Sequence, residues 1–503
     1  MSTTTNDSTN SASSESQGAE LVFERGKWIS GWDPEDTVQW EREGKKIAHR
    51  NLGFSIYAEF LGFVVWALWA VVAVRMQVVK NAEGVLVPGP YGFALTSDQV
   101  LWLVATPAFV GATLRFPYTF LVSKVGGRNW TIISATLLLI PTIAMSFAIA
   151  NHPVLQADGT YAGGTSYHAL LWIAALAGFG GGNFASSMAN INFFFPQRTK
   201  GWALGLNAAG GNIGSAVGQF MVPLIISITA IAMTTIKNNP KTGTVINLPI
   251  AGYFWIPFIL AAMICAYLFM NNLRSAKADF AAYAVAFKDP HLWLMSFLYI
   301  GTFGSFIGLG GVFPKLINDI FPTYNTPIVI STATIGLSFL GPLVGSLSRP
   351  YGGQLADRFG GAIITVIAFL VMAVGTILVI FVLAPAKPSF WLFLFCFMLI
   401  FIATGVGNGS MYRMIPTVMA ARAGQEDARF KSAGIPTVRK TAACLGIISA
   451  FGAYGGALVP FILLLCVGNY VQFMWWLMYA YVLFLAITVA FYIYPYAKKG
   501  TRV

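Results

Sequence analysis

The chain has 503 residues, of which 56% are hydrophobic and 10% charged, with a formal net charge of +12. Such a composition excludes an ordinary soluble core and describes a polytopic membrane protein. The positive charge would point to nucleic acid in a soluble protein, but here the basic residues gather in loops and chain ends, where they set topology, and no nucleic-acid partner follows.

Residues 1–20 are rich in Ser, Thr and Asn and hold no apolar run, which predicts a disordered tail and not a cleaved signal peptide. The whole stretch 1–50 reads as a polar, cytoplasmic N-terminal extension. Apolar runs then predict twelve spans at 51–76, 96–123, 130–150, 167–194, 202–232, 250–272, 290–313, 326–351, 362–384, 389–414, 437–467 and 471–496. The polar stretch 273–289 divides them into an N-terminal half, 51–272, and a C-terminal half, 290–503, so the expected fold is all-α with two six-helix halves. Lys124, Arg128, Arg198, Lys200, Arg274, Lys277, Lys288, Arg358, Arg422, Arg429, Lys431, Arg439 and Lys440 fall on one side. Lys80, Lys237, Lys241, Lys315 and Lys387 fall on the other, and by the positive-inside rule both termini are cytoplasmic.

An internal repeat supports the division. Gly111, Arg115, Gly126 and Gly127 map onto Gly345, Arg349, Gly360 and Gly361 at one constant offset. LGLNAAGGNIGSA, beginning at Leu204, matches LGIISAFGAYGGA, beginning at Leu445, which makes the fifth span the counterpart of the eleventh. Gly201, Gly205, Gly210, Gly211, Gly214 and Gly218 form a stripe without side chains in one, and Gly446, Gly452, Gly455 and Gly456 do so in the other. Such stripes let backbones approach, whether for static packing or for sliding.

Arg115 lies nine residues before Lys124 and Arg349 nine before Arg358, so each stands roughly 13 Å inside its helix end, near mid-membrane. A guanidinium there costs about 2.5–3.5 kcal/mol by insertion scales, and two at repeat-related positions point to use. Two like charges across a dry pocket repel each other, and a bound monoanion relieves both the repulsion and the poor solvation. The guanidinium fork donates two parallel hydrogen bonds, which suits a planar oxyanion. Glu59 is the one acid placed deep in a span, at the same depth. Three readings of it compete: a partner that orients Arg115, a proton-coupling carboxylate, or a residue lodged against polar neighbours. His49, His152, His168 and His291 fall at span ends, and Cys265, Cys396, Cys444 and Cys466 show no metal or disulfide spacing, so neither a metal nor a cofactor is expected. No G-x-x-x-x-G-K-[ST] motif supports ATP coupling.

GGQLADRFGG (Gly352–Gly361) resembles the cytoplasmic loop signature of the major facilitator superfamily, whose fold joins two such halves around a central site. The resemblance gives Asp357 and Arg358 the role of a latch between helix ends; the equivalent FLVSKVGGR has Ser123 where the acid should be. GFGGGNFASSMANINFFFPQRTKGWALGLNAAGGNIG (Gly178–Gly214) and FGAYGG (Phe451–Gly456) resemble the two glycine-rich signatures of the nitrate/nitrite porter branch, and the likeness runs from Asn51 to Tyr496. It implies a secondary transporter of nitrate and nitrite in the cytoplasmic membrane, not an enzyme, and the expected form is a monomer. It further implies that Phe184, Phe303, Tyr299 and Asn212 line the substrate, with Tyr299 as a hydroxyl donor, while Arg413 reads as a snorkelling or gating residue. Exchange of nitrate for nitrite is the expected mode, because an empty carrier with two positive charges should resist closing; nitrate–proton symport through Glu59 is the alternative.

Overall fold

The computed structural model describes residues 20–81, 83–89, 91–227, 247–276, 280–325, 328–330, 333–423, 437–466 and 468–497. The tail 1–19 lies outside them, as do Lys237, Lys241, Lys277, Arg429 and Lys431.

Helices satisfy every backbone group internally, which a bilayer demands of an apolar segment. The spanning helices are α1 (Lys45–Arg75), α2 (Ser97–Val125), α3 (Gly127–Ala150), α4 (Tyr167–Phe194), α5 (Gln197–Ser227) and α6 (Ile250–Phe269). The second set is α7 (Pro290–Ile320), α8 (Leu340–Phe359), α9 (Gly361–Leu383), α10 (Phe390–Ala423), α11 (Thr437–Ala453 continuing as Gly455–Leu465) and α12 (Tyr470–Ile493). Among the described residues, eleven helices are long and apolar enough to cross a membrane. The twelfth, α8, is diluted by glycines, serines, Arg349, Asp357 and Arg358.

The halves repeat each other in backbone detail. α2 and α8 both end on a glycine in the left-handed region, Gly126 at φ 94° and Gly360 at φ 95°, where a side chain would be strained. Gly111 of α2 lies against Gly181 of α4, and Gly345 of α8 lies against the backbone of Phe401 of α10. Gly210, Gly211 and Gly214 of α5 meet Ile56, Glu59 and Phe60 of α1. In α11, Gly452 and Gly455, the counterparts of Gly211 and Gly214, meet Tyr299 and Gly304 of α7, and Gly456 meets Ile307. Gly205 is a correction: a Cβ there meets nothing within 4 Å, so it is no packing contact in this conformation.

One further expectation changes. The eighth span does not begin at 326. Ile328–Ile330 and Ala333–Ile335 pair as antiparallel strands, since both are β-branched and apolar without helical support, and α8 starts only at Leu340. The extension is folded from residue 20 onward. β1 (Val22–Glu24) pairs antiparallel with β2 (Trp28–Ser30) across a turn at Gly26 and Lys27, and β2 pairs in parallel with β3 (Asn272–Leu273) after α6. Trp32 Nε1 donates to the Phe193 carbonyl at 3.1 Å, and Trp40 meets the Phe195 ring edge-on at 5.7 Å, so this small sheet caps one end of the N-terminal half. That end, which also carries the C-terminus of α12, is called the linker end below.

Candidate functional site

Arg115 is fully buried, with each guanidinium edge differently engaged. Nε donates to the Gly181 carbonyl of α4 at 3.1 Å, and Nη1 donates to the Ser449 carbonyl and hydroxyl of α11 at 3.0 and 3.3 Å. Arg115 therefore ties the two halves together at mid-depth. Its Nη2 is buried without a partner. Arg349 mirrors this more loosely: Nη2 donates to the Tyr299 hydroxyl at 3.4 Å, and Nη1 is buried without a partner. Neither guanidinium is ion-paired to a carboxylate among the described residues.

Aromatic faces surround both charges. The Arg115 guanidinium carbon lies 4.4 Å from the Phe184 ring centroid and 5.2 Å from that of Phe303. That of Arg349 lies 5.8 Å from Phe303 and 5.4 Å from Tyr412. Phe303 thus serves both arginines, and it projects from a π-helical segment, Ile300–Gly304, where Gly304 lets α7 approach α11 closely. Ring quadrupoles stabilise the cations without neutralising them, so full charge remains for an anion.

Tyr299 departs from its expected role. Its hydroxyl donates to Asn408 Oδ1 at 2.6 Å and accepts from Arg349, so its proton is directed at α10 and not at a substrate. Asn408, Tyr412 and Ser449 thus belong to the same constellation, although sequence reading did not single them out. Asn212 is buried with neither amide atom partnered, one turn after Ala208, which packs with Phe63 and Phe184. Together these residues offer unpartnered N–H donors from Arg115, Arg349 and Asn212 beside flat rings, which is what a planar oxyanion requires.

Access is one-sided. A cavity of about 610 Å³ runs from the linker end, where Trp32, Glu35, Lys200, Ser275 and Arg439 line it, inward to Met188, Tyr412 and Ser449. The opposite end is closed across the halves. Gln219 of α5 donates to the Gly310 carbonyl of α7 at 2.7 Å, and buried Lys315 of α7 donates to Gln77 at 3.1 Å and to Asp319 at 2.6 Å. Tyr470 completes this cluster by donating to Asp319 at 2.6 Å. Lys315, expected in an outer loop, is instead inside this closure.

Glu59 does not contact Arg115. Its Oε2 accepts from Ser187 Oγ and, at 2.8 Å, from Asn207 Nδ2, and its Oε1 is buried without a partner. Of the two residues expected to latch helix ends, one reaches a neighbouring helix. Asp357 pairs with Arg413 of α10, while Arg358 is exposed, because a residue adjacent to Asp357 on a helix points away from the neighbour that Asp357 reaches. Ser123, at the acid's place in the first half, only donates to the Phe120 carbonyl.

Comparison with known proteins bears on this arrangement. The Major Facilitator Superfamily family model matches residues 54–460. The chain is 38% identical over 442 residues to the nitrate/nitrite transporter NarU of Salmonella typhimurium, covering 86% of this chain and 88% of that protein. It is 37% identical to NarU of Escherichia coli over 86% and 88% of the two chains. To the probable nitrate/nitrite antiporter NarK2 of Thermus thermophilus it is 34% identical over 80% and 85%.

Proposed function

Because the chain belongs to the major facilitator superfamily and, within it, to the nitrate/nitrite porter branch, we propose that it carries nitrate and nitrite across the cytoplasmic membrane by alternating access, exchanging one anion for the other. The observation that carries this reading is the pair of buried guanidiniums, Arg115 and Arg349, each with one unpartnered N–H edge beside the Phe303 ring. A monoanion bridging both edges cancels one of two like charges, and its flat face lies against an aromatic ring.

In this reading the linker end faces the cytoplasm, both termini lie there, and the 610 Å³ cavity is the inward-open path. The Lys315–Gln77–Asp319 cluster and the Gln219–Gly310 bond are the closed outer gate. Arg115–Ser449, which crosses the halves, is the contact that changes as they rock. The bilayer covers the apolar outer surface, and the monomer is the working unit. The second reading, nitrate–proton symport, draws on the burial of Glu59 among neutral donors. Binding is tested by nitrate titration of the purified protein in detergent, competed by nitrite. Equal competition by chloride, which has no plane to match, overturns the proposed site chemistry.

A further inference from the structure

Glu59 sits in a cluster that the anion site does not use. Ser55 Oγ and Ser187 Oγ are 2.9 Å apart, and Asn207 Nδ2 reaches Ser187 Oγ at 2.6 Å and Glu59 Oε2 at 2.8 Å. All four side chains are buried. Two acceptors in this cluster, Glu59 Oε1 and Asn207 Oδ1, have no donor at all. An ionised carboxylate is acceptor-only and leaves Oε1 a bare buried anion oxygen, whereas a carboxylic acid carries its own hydrogen and no net charge. A metal cation fits poorly, because Asn207 turns its N–H₂ toward both Glu59 and Ser187. The charged and titratable groups that face Glu59 are Arg115 of α2, Arg349 of α8 and Tyr412 of α10. Ser187 stands one turn from Phe184 on α4, the ring that covers Arg115, so this cluster and the anion site share one helix.

We propose that Glu59, Ser187, Asn207 and Ser55 form a resident proton site, in which Glu59 is held as the neutral acid throughout the transport cycle and keeps the central pocket doubly positive when no anion is bound. The inference rests on the exchange reading and adds the reason that exchange is tight. With Glu59 neutral, the pocket holds two charges empty and one when loaded; with Glu59 ionised it holds one empty and none loaded. Burial cost rises as the square of charge, so the neutral acid makes the loaded-versus-empty difference about threefold larger. The proton is retained, not carried.

The test compares wild-type protein and Glu59→Gln in proteoliposomes, with symmetric pH set at about 6 and about 9, a range that spans the titration of buried carboxyls. Exchange of labelled nitrate against internal nitrite is expected to be similar in both proteins. Net uptake into anion-free vesicles is expected to be negligible in both at the lower pH, to rise about tenfold in wild type at the higher pH, and to stay flat in Glu59→Gln. An equal alkaline rise in Glu59→Gln overturns the proposal. So does net uptake driven by an inward proton gradient and lost in Glu59→Gln, since the proton would then be cargo. Independently of whether the variant folds, the infrared spectrum of wild type at neutral pH should contain a buried carboxylic-acid carbonyl band, and a carboxylate band for Glu59 in its place overturns the assignment. If both proteins exchange no nitrate while that band is present, the exchange reading fails and the proton site stands.

Discussion

Replacing Arg115 by lysine keeps the charge and removes the fork. In the structure one guanidinium reaches the Gly181 carbonyl with Nε, Ser449 with Nη1, and leaves Nη2 for substrate. An ammonium on a flexible stem cannot hold those three directions at once. One charge-assisted hydrogen bond to the anion is lost, about 1.5–3 kcal/mol. Stacking on Phe184 at 4.4 Å is lost as well, about 0.5–2 kcal/mol. The sum, roughly 2–5 kcal/mol, corresponds to a fall in kcat/KM of at least about 30-fold. The assay is initial uptake of labelled nitrate into nitrite-loaded proteoliposomes, with circular dichroism and a detergent melt to verify folding. Arg349→Lys should reduce transport with less loss of stability, because Arg349 makes only the 3.4 Å contact to Tyr299. An Arg115→Lys variant that folds and transports within about threefold of wild type would falsify the argument from the guanidinium's three directions.

Other variants probe the moving parts. Gly455→Ala places a Cβ against the Gly304 backbone and should destabilise by about 1–3 kcal/mol, whereas Gly205→Ala, with open space around it, should leave the melt unchanged; equal melts for the two would show that the α7–α11 approach is not tight. Gln77→Leu removes the acceptor that Lys315 meets across the halves. It should raise labelling of a cysteine placed at Ser215 by a membrane-impermeant maleimide from the outer side, and unchanged labelling would remove this cluster from the gate. The carboxyl of Glu24 is held below its ordinary value by Arg274, then by Ser30. A depressed folded value means the stabilisation is full above the usual carboxylate range and fades as pH falls below about 4.5. Amide hydrogen exchange over residues 22–30, corrected for intrinsic rates, should therefore accelerate below that pH, and unchanged protection from pH 7 down to about 3 would contradict the tie between the extension and β3.

Most of the fold was legible because membrane helices announce themselves by length and hydropathy, and because duplication repeats local geometry. The matched spacing of Gly126 and Gly360 after Arg115 and Arg349 reappears as matched backbone dihedrals. The arginines and the two phenylalanines could be named in advance from charge in hydrocarbon and from motif context. Partners could not, since they depend on side-chain direction between distant segments: Asp357 finds Arg413, Tyr299 donates to Asn408, and Glu59 finds Ser187 and Asn207. The strand pair that displaced the start of span eight was visible as a β-branched run, but apolarity alone cannot separate such a run from a helix. Alternating VFE and WIS around Gly26 likewise signalled the β1–β2 hairpin within a stretch read only as polar. Lys315 looked like a topology marker, although Asp319 four residues later offered the partner that allows its burial.

Counterflow tests the central claim most directly. Labelled nitrate is offered at neutral pH to proteoliposomes that are either empty or loaded with nitrite, with no proton gradient or membrane potential imposed. The account predicts rapid uptake only into the nitrite-loaded vesicles, because the pocket formed by Arg115 and Arg349 crosses only with an anion between its charges. Equal uptake into empty and loaded vesicles would contradict it.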